Sequence, residues 1–408
     1  MRPRLSAVLR AIGSGTPVGT GRASSLSDMG ARRTLRLAGL TGSAALLAAA
    51  SGATWYYAAR VTEPPHRRPV VPLDRDRVVV HDLGDGRVRV VGVDADRPGW
   101  WGLRADDGYL RVGPVQAQGD DGAVRPVELR SGALAPDGTA AVFDPWAAPD
   151  DANALGLPVE AVVVDGPLGP LPAWWFPAAP DVDRGLTAVR VHGRSATRAE
   201  TFRHVAPMVR RGVSVLTTSY RNDPEGPPSP DGRSHLGATE WEDIEAAARW
   251  ALDRGARGLV LVGQSMGGAC VAEVLRHADL REQVVGVVLE APVLDWGPVL
   301  RTAAVQRGLP AATLPLLLPP TMALAGARAR IDWRSLGSFA DLTEVPLLLV
   351  QGDLDLTVPV ELADALAEAL PDLVTYLRVA GAGHLTAWNL ARESVETAIE
   401  TFVDALSA

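Results

Sequence analysis

The sequence predicts an α/β fold: a doubly wound, mostly parallel sheet with a helical insertion over residues 158–408. A small β-rich region (70–157) and an N-terminal hydrophobic helix precede it. Three observations carry the expectation. Short apolar runs alternate with helix-compatible stretches from Leu186 onward. One run, Leu259-Val260-Leu261-Val262, breaks into Gly263-Gln264-Ser265-Met266-Gly267 and continues as a helix from Ala269 to Arg276. Between Val70 and Pro149 the pattern changes to short alternations cut by Asp-Gly pairs.

In chain order, residues 1–36 form a basic tail expected to be disordered, its Gly13-x-Gly15 following no strand and so not a phosphate loop. Residues 37–59 carry no charge and could cross the ~30 Å hydrocarbon core of a bilayer as a helix. Trp55, Tyr56 and Tyr57 sit where an aromatic belt would lie, and Arg2, Arg4, Arg10, Arg22, Arg32, Arg33 and Arg36 precede the run against one acid, Asp28. Positive-inside logic then expects a cell-membrane anchor with the rest of the chain extracytoplasmic. A cleaved export signal is the alternative, with Ala48-Ala49-Ala50 as small residues for processing and Arg32-Arg33 weakly resembling a twin-arginine signal.

Asp85-Gly86, Asp107-Gly108, Asp121-Gly122 and Asp137-Gly138 read as hairpin turns of a β-meander, with Trp100, Trp101 and Trp146 available for a small core. Strands are then expected at Leu186–Val191, Val213–Tyr220, Leu259–Val262, Val284–Leu289, Val345–Val350 and Val374–Val379. Helices are expected from Glu240 to Arg254, after Ser265, and from Leu390 to Leu406, where Val395, Ile399, Phe402 and Leu406 make one apolar stripe. Thr197-Arg198-Ala199-Glu200 reads as a capping box.

A serine hydroxyl attacks a carbonyl only if it is exposed, meets a base and has oxyanion donors nearby. A tight strand-to-helix turn with glycines on either side provides the exposure, so Ser265 is a candidate nucleophile. The run Val345–Val350 ends in Gln351-Gly352-Asp353-Leu354-Asp355-Leu356-Thr357-Val358-Pro359, and the run Val374–Val379 ends in Ala380-Gly381-Ala382-Gly383-His384. The order serine, aspartate, histidine, each just after a strand, resembles the α/β-hydrolase superfamily over roughly residues 158 to 408. That resemblance implies Ser265 as nucleophile, His384 as base and Asp355 as the acid orienting it. Asp355 fits the family pattern Gly-x-x-Asp-x-x-Val-Pro, Asp353 is the runner-up and Asp295 a further position used by some members. His192-Gly193-Arg194 after Val191 resembles the family's oxyanion turn and implies the N–H groups of Arg194 and Met266 as donors. His192 is then a turn residue, and the Arg194 side chain is expected to face solvent or to meet an anionic substrate group.

Residues 297–337 fall outside the alternation, at a place where the family inserts a lid. The stretch Leu309–Ala327 is uncharged and rich in leucine, which suits an apolar acyl pocket; Pro310, Pro315, Pro319 and Pro320 argue against a membrane-spanning helix there.

The chain has 408 residues, a formal charge of −8 and no lysine. Residues 1–60 hold eight arginines against Asp28, so the remainder is more acidic than the total, which excludes nucleic-acid binding. Cys270 is the only cysteine and is expected to be small buried filling. No His/Asp/Glu/Cys cluster has metal-ligand spacing, and neither a metal nor another cofactor is expected. The expected function is a serine hydrolase acting on a small-molecule acyl substrate, carboxylic esters first. A peptidase, an acyltransferase or a catalytically silent binding protein on the same fold are the alternatives.

Overall fold

The computed structural model describes residues 48–65, 77–135, 138–339 and 344–407. The chain divides into two compact units, Met1–Ala53 and Thr54–Ala408. Of the first, residues 48–53 are described, and they are helical. Helix α1 covers the described residues 48–61. The 1–36 tail and residues 37–47 of the expected membrane span therefore lie outside the described residues. Among the described residues no helix is long and apolar enough to cross a membrane. The end of the apolar run is engaged with protein: Ala58 is fully buried, and Val61 just beyond it packs on a core cluster.

In the second unit, seven strands follow: β1 (Arg77–Asp82), β2 (Arg87–Gly92), β3 (Trp101–Ala105), β4 (Gly108–Val112), β5 (Ala117–Gly119), β6 (Gly122–Gly132) and β7 (Thr139–Asp144). Their order is β2-β1-β7-β3-β4-β6-β5, all antiparallel, with a further β2–β6 pairing. That pairing closes six strands into a ring. The region is therefore a small barrel and not the open meander the hairpin signals suggested. Closure removes the exposed edges, and Val78, Val80, Val88, Val90, Leu103 and Leu110 fill the interior. Three of the four Asp-Gly pairs lie at the β1–β2, β3–β4 and β5–β6 connections. Asp137 of the fourth is outside the described residues.

The second sheet comprises β8 (Glu160–Gly166), β9 (Gly169–Phe176), β10 (Leu186–Val191), β11 (Val213–Thr218), β12 (Gly258–Gln264), β13 (Val284–Glu290), β14 (Leu347–Gly352) and β15 (Val374–Val379). Its order is β15-β14-β13-β12-β10-β11-β9-β8, with β10 to β15 parallel and β8–β9 an antiparallel hairpin at one edge. Helices α2 (Val205–Arg210), α3 (Trp241–Asp253), α4 (Met266–His277), α7 (Val360–Ala369) and α9 (Arg392–Ala405) accompany it, with a short α8 (Ala387–Leu390). The strands read as continuous apolar runs because both faces are covered. On β12, Leu259 and Leu261 pack with α3 and α4, while Val260 and Val262 pack with α2 and α9. The final-helix stripe is buried at Val395, Ile399, Phe402 and Leu406.

Between β13 and β14 the insertion forms α5 (Trp296–Gln306) and α6 (Leu314–Ala329). Pro319 and Pro320 lie inside α6, which runs through them. An interior proline removes a backbone bond and usually costs about 3 kcal/mol. Here both prolines are exposed, so the carbonyls one turn earlier reach water. The capping box forms only in part: Thr197 makes no side-chain cap bond to the short 3₁₀ segment Arg198–His204, while the half-buried Glu200 carboxyl group accepts from the Thr197 backbone N–H.

The barrel docks on the second sheet through Asn389, whose side-chain amide donates to Trp100 O (2.8 Å) and Pro145 O (2.9 Å). Its carbonyl accepts Trp100 N–H at 2.8 Å.

Candidate active site

Ser265 sits between β12 and α4 with φ 53° and ψ −118°. This is a sterically disfavoured conformation for a residue with a side chain, held by its surroundings. A Cβ on Gly263 would lie 2.7 Å from Gly267 O, and one on Gly267 would lie 2.2 Å from Val191 O. Only glycine fits at either place. The turn is fastened through the serine's own backbone: Ser265 N–H donates to Glu290 O (3.0 Å), and Ser265 O accepts from Gly268 and Val293 (both 2.9 Å). Glu290 is buried, receiving two bonds from Arg203 (2.8 and 2.9 Å) and one from Gln264 (2.8 Å).

His384 lies in the loop between β15 and α8. Its Nε2 is 3.1 Å from Ser265 Oγ and its Nδ1 2.8 Å from Asp355 Oδ2. Asp355 accepts from the N–H groups of Thr357 and Val358 on Oδ1 (2.8 Å each) and from Gln351 Nε2 on Oδ2 (3.0 Å). Four donors, His384 Nδ1 included, converge on one buried carboxyl group. Nδ1 of His384 must then carry a proton toward Asp355, leaving Nε2 free to accept from the serine hydroxyl.

The other two aspartates are elsewhere. Asp353 Oδ1 accepts from Gly381 N–H (2.7 Å) and ties its loop to the end of β15. Asp295 caps α5 by accepting from Gly297 N–H at 2.8 Å.

Met266 is the first residue of α4, where N–H groups lack intrahelical partners and the helix dipole favours negative charge. Gly193 approaches from β10: a Cβ there would stand 3.0 Å from Ser265 Cβ and 3.5 Å from Ser265 Oγ. The Gly193 carbonyl accepts from His192 Nδ1 (2.9 Å), Tyr220 Oη (3.1 Å) and Ala196 N–H (3.3 Å). Carbonyl and following N–H belong to one rigid peptide, so these bonds also fix the direction of Arg194 N–H. The partly buried Arg194 side chain turns to the end of α1, where its Nη2 donates to Val61 O (2.7 Å) and Glu63 O (2.9 Å).

Two partners of the turn residue His192, Tyr220 and Asp223, escaped the sequence reading. His192 is buried, stacks on Tyr220 (ring centroids 4.3 Å apart), and its Nε2 lies 2.8 Å from Asp223 Oδ2. Burial alone would depress its pKa, but the Asp223 carboxylate outweighs that, and the ring's pKa stands above its ordinary value. Oxygen atoms face both ring nitrogens. Burial pushes the neighbouring Glu200 up to about 8. The usable signal was positional: Tyr220 and Asp223 follow β11, which lies parallel beside β10, so both reach the same sheet edge as His192. Cys270 is buried in α4, and burial raises its thiol pKa. No group of three metal-ligating side chains occurs among the described residues.

Two cavities share Arg194 in their walls. One of about 340 Å³ is lined by Arg194, Ser195, Tyr220, Asp223, Glu240 and Met266, among others. The other, about 480 Å³, lies among α1, α5 and α6 and includes Arg194 in its wall.

Residues 188–399 match the Alpha/beta hydrolase family. No curated protein matches the sequence. Among solved structures, an esterase of Pyrococcus furiosus is 18% identical, covering 63% of this chain and 95% of its own, with TM-score 0.49. A serine hydrolase without lid from Xanthomonas campestris is 22% identical, covering 61% and 96%, with TM-score 0.43. A thermophilic esterase of Thermogutta terrifontis is 18% identical, covering 60% and 98%, with TM-score 0.42. These likenesses carry no information on substrate.

Proposed function

Because the chain belongs to the alpha/beta hydrolase family, we propose that it is a serine hydrolase cleaving carboxylic esters or related acyl bonds through an acyl-enzyme. The observation that carries the reading is the continuous relay Ser265 Oγ–His384–Asp355, with separations of 3.1 and 2.8 Å. Ser265 attacks the carbonyl while His384 Nε2 takes the hydroxyl proton, and Asp355 stabilises the resulting imidazolium without taking the proton. The N–H groups of Arg194 and Met266 receive the developing oxyanion. One such donor is typically worth about 2.7–4 kcal/mol of transition-state stabilisation. His384 then protonates the leaving alcohol, and water releases the acid by the same path.

In this reading α5 and α6 form a lid whose inner face meets the acyl group. The basic tail ahead of residues 37–59 supports a catalytic unit outside the cytoplasm, held by that segment or released by cleavage near Ala48-Ala49-Ala50. Carbonate extraction of membranes and sequencing of the mature N-terminus distinguish the two.

Labelling by a fluorophosphonate probe tests the chemistry. The expected result is one adduct, on Ser265, accompanied by loss of turnover in Ser265→Ala on the order of 10⁶-fold. A folded protein that refuses the probe and retains its turnover after Ser265→Ala contradicts the reading.

A further inference from the structure

We propose that α1 residues 54–61 are part of the substrate site: with α5 and α6 they enclose a pocket for the aliphatic chain of the acyl group. This rests on the acyl chemistry proposed for Ser265. The cavity of about 480 Å³ is lined from α1 by Tyr56, Tyr57 and Val61, and from the insertion by Leu300, Ala303 and Leu317 among others. Its volume falls within the range of ~300–1,000 Å³ typical of small-molecule sites. Arg60, Arg194 and Arg307 also line it, but most of the lining is apolar, so an alkyl chain is the occupant whose desolvation it favours.

The pocket is linked to the Ser265 turn through one residue, Arg194. Gly193 is in contact range of Ser265, and its neighbour Arg194 forms part of the cavity wall. The wall is fixed and not a passing contact. Arg194 Nη2 holds Val61 O and Glu63 O, Ser234 N–H donates to Thr62 O at 2.8 Å, and the Arg328 guanidinium of α6 lies 5.6 Å from the Trp55 ring. A positive side chain on the last carbonyls of a helix is the favourable arrangement for its dipole. The segment that reads in sequence as the end of a membrane span thus completes the pocket. It lies outside the residues that match the family, 188–399.

Two variants on opposite walls test this in the full chain. Tyr57→Ala enlarges the pocket and removes contacts; Ala303→Trp fills it. The measurement is kcat/KM over p-nitrophenyl esters from acetate to decanoate, with thermal melts to establish folding. The ratio of decanoate to acetate turnover should fall roughly tenfold in Tyr57→Ala and more in Ala303→Trp, as expected when methylenes lose a fitted pocket. Ratios unchanged in both folded variants overturn the proposal. A second readout separates it from the chemistry: binding of the fluorescent fatty acid cis-parinaric acid to Ser265→Ala. If the wild type hydrolyses no ester, the hydrolase reading fails. The pocket then stands if Ala303→Trp, added to Ser265→Ala, weakens parinarate binding, and falls if it does not.

Discussion

Asp353 and Asp355 stand two residues apart in one loop, yet their environments differ in kind. Asp355 faces His384 and gathers three further donors, while Asp353 braces the backbone at Gly381. Asp355→Asn should therefore lower kcat by about 10⁴, because the amide no longer enforces the tautomer that leaves Nε2 unprotonated. Asp353→Asn should cost little turnover and show mainly as a lower melting temperature. Steady-state kinetics on both variants checks the contrast, and the reverse ranking would move the acid to Asp353. His192 and Glu200 give a second residue-level prediction. Both have folded pKa values above their ordinary ones, so the folded state binds protons that the unfolded state has already released. For Glu200 the stabilisation is complete below its unfolded value of about 4.5 and fades as pH rises through about 8. For His192 it is complete below about 6.5 and fades as pH rises through its higher folded pKa. Buried His204, whose pKa burial holds well below its ordinary value, opposes this trend below about pH 6.5, so melting temperature should fall from about pH 6.5 toward pH 9. Glu200→Gln should flatten that slope, and an unchanged slope contradicts the assignment.

At the scale of elements, the nucleophile turn was legible because its constraint is local. Gly263 and Gly267 face backbone atoms within a few residues of sequence or on the adjacent strand, and no other residue type fits. Gly267→Ala should destabilise the fold by about 1–3 kcal/mol or more, since its methyl would meet Val191 O. A urea midpoint near wild type would show that the turn can relax. The central strands were legible for a related reason: burial on both faces makes them near-continuous apolar runs, and Leu186–Val191, buried throughout, has the bounds the sequence implied. What escaped depends on partners distant in sequence. His192 stands in a recognisable His-Gly turn, but its partner Asp223 is 31 residues away and carries no local pattern. The length of α6 was obscured by Pro319 and Pro320, whose cost is set by their exposure, which only tertiary structure decides.

At the scale of the molecule, hairpin signals revealed the β-rich region but not its closure, because the β2–β6 pairing joins strands that no turn connects. Nor did composition show that this barrel is bound to the catalytic sheet through Asn389, five residues past His384. Asn389 is buried, and Asn389→Ala would leave Trp100 O without its side-chain donor and Pro145 O with Arg203 Nη1 alone (3.3 Å). A loss of about 1–3 kcal/mol per unsatisfied group is expected. If the barrel and sheet form one cooperative body, a single calorimetric transition moves down intact. Two separated transitions would show that the barrel folds independently.

The central claim is that Ser265 becomes covalently acylated because His384 and Asp355 activate it. The most direct measurement is intact-protein mass spectrometry on samples acid-quenched during turnover of p-nitrophenyl acetate, followed by peptide mapping. The account predicts an acetyl adduct on Ser265 that forms in the burst, decays as substrate is exhausted, and is absent from Ser265→Ala and His384→Ala. Sustained turnover with no adduct on Ser265 at any time point, and equal rates in Ser265→Ala, would contradict it.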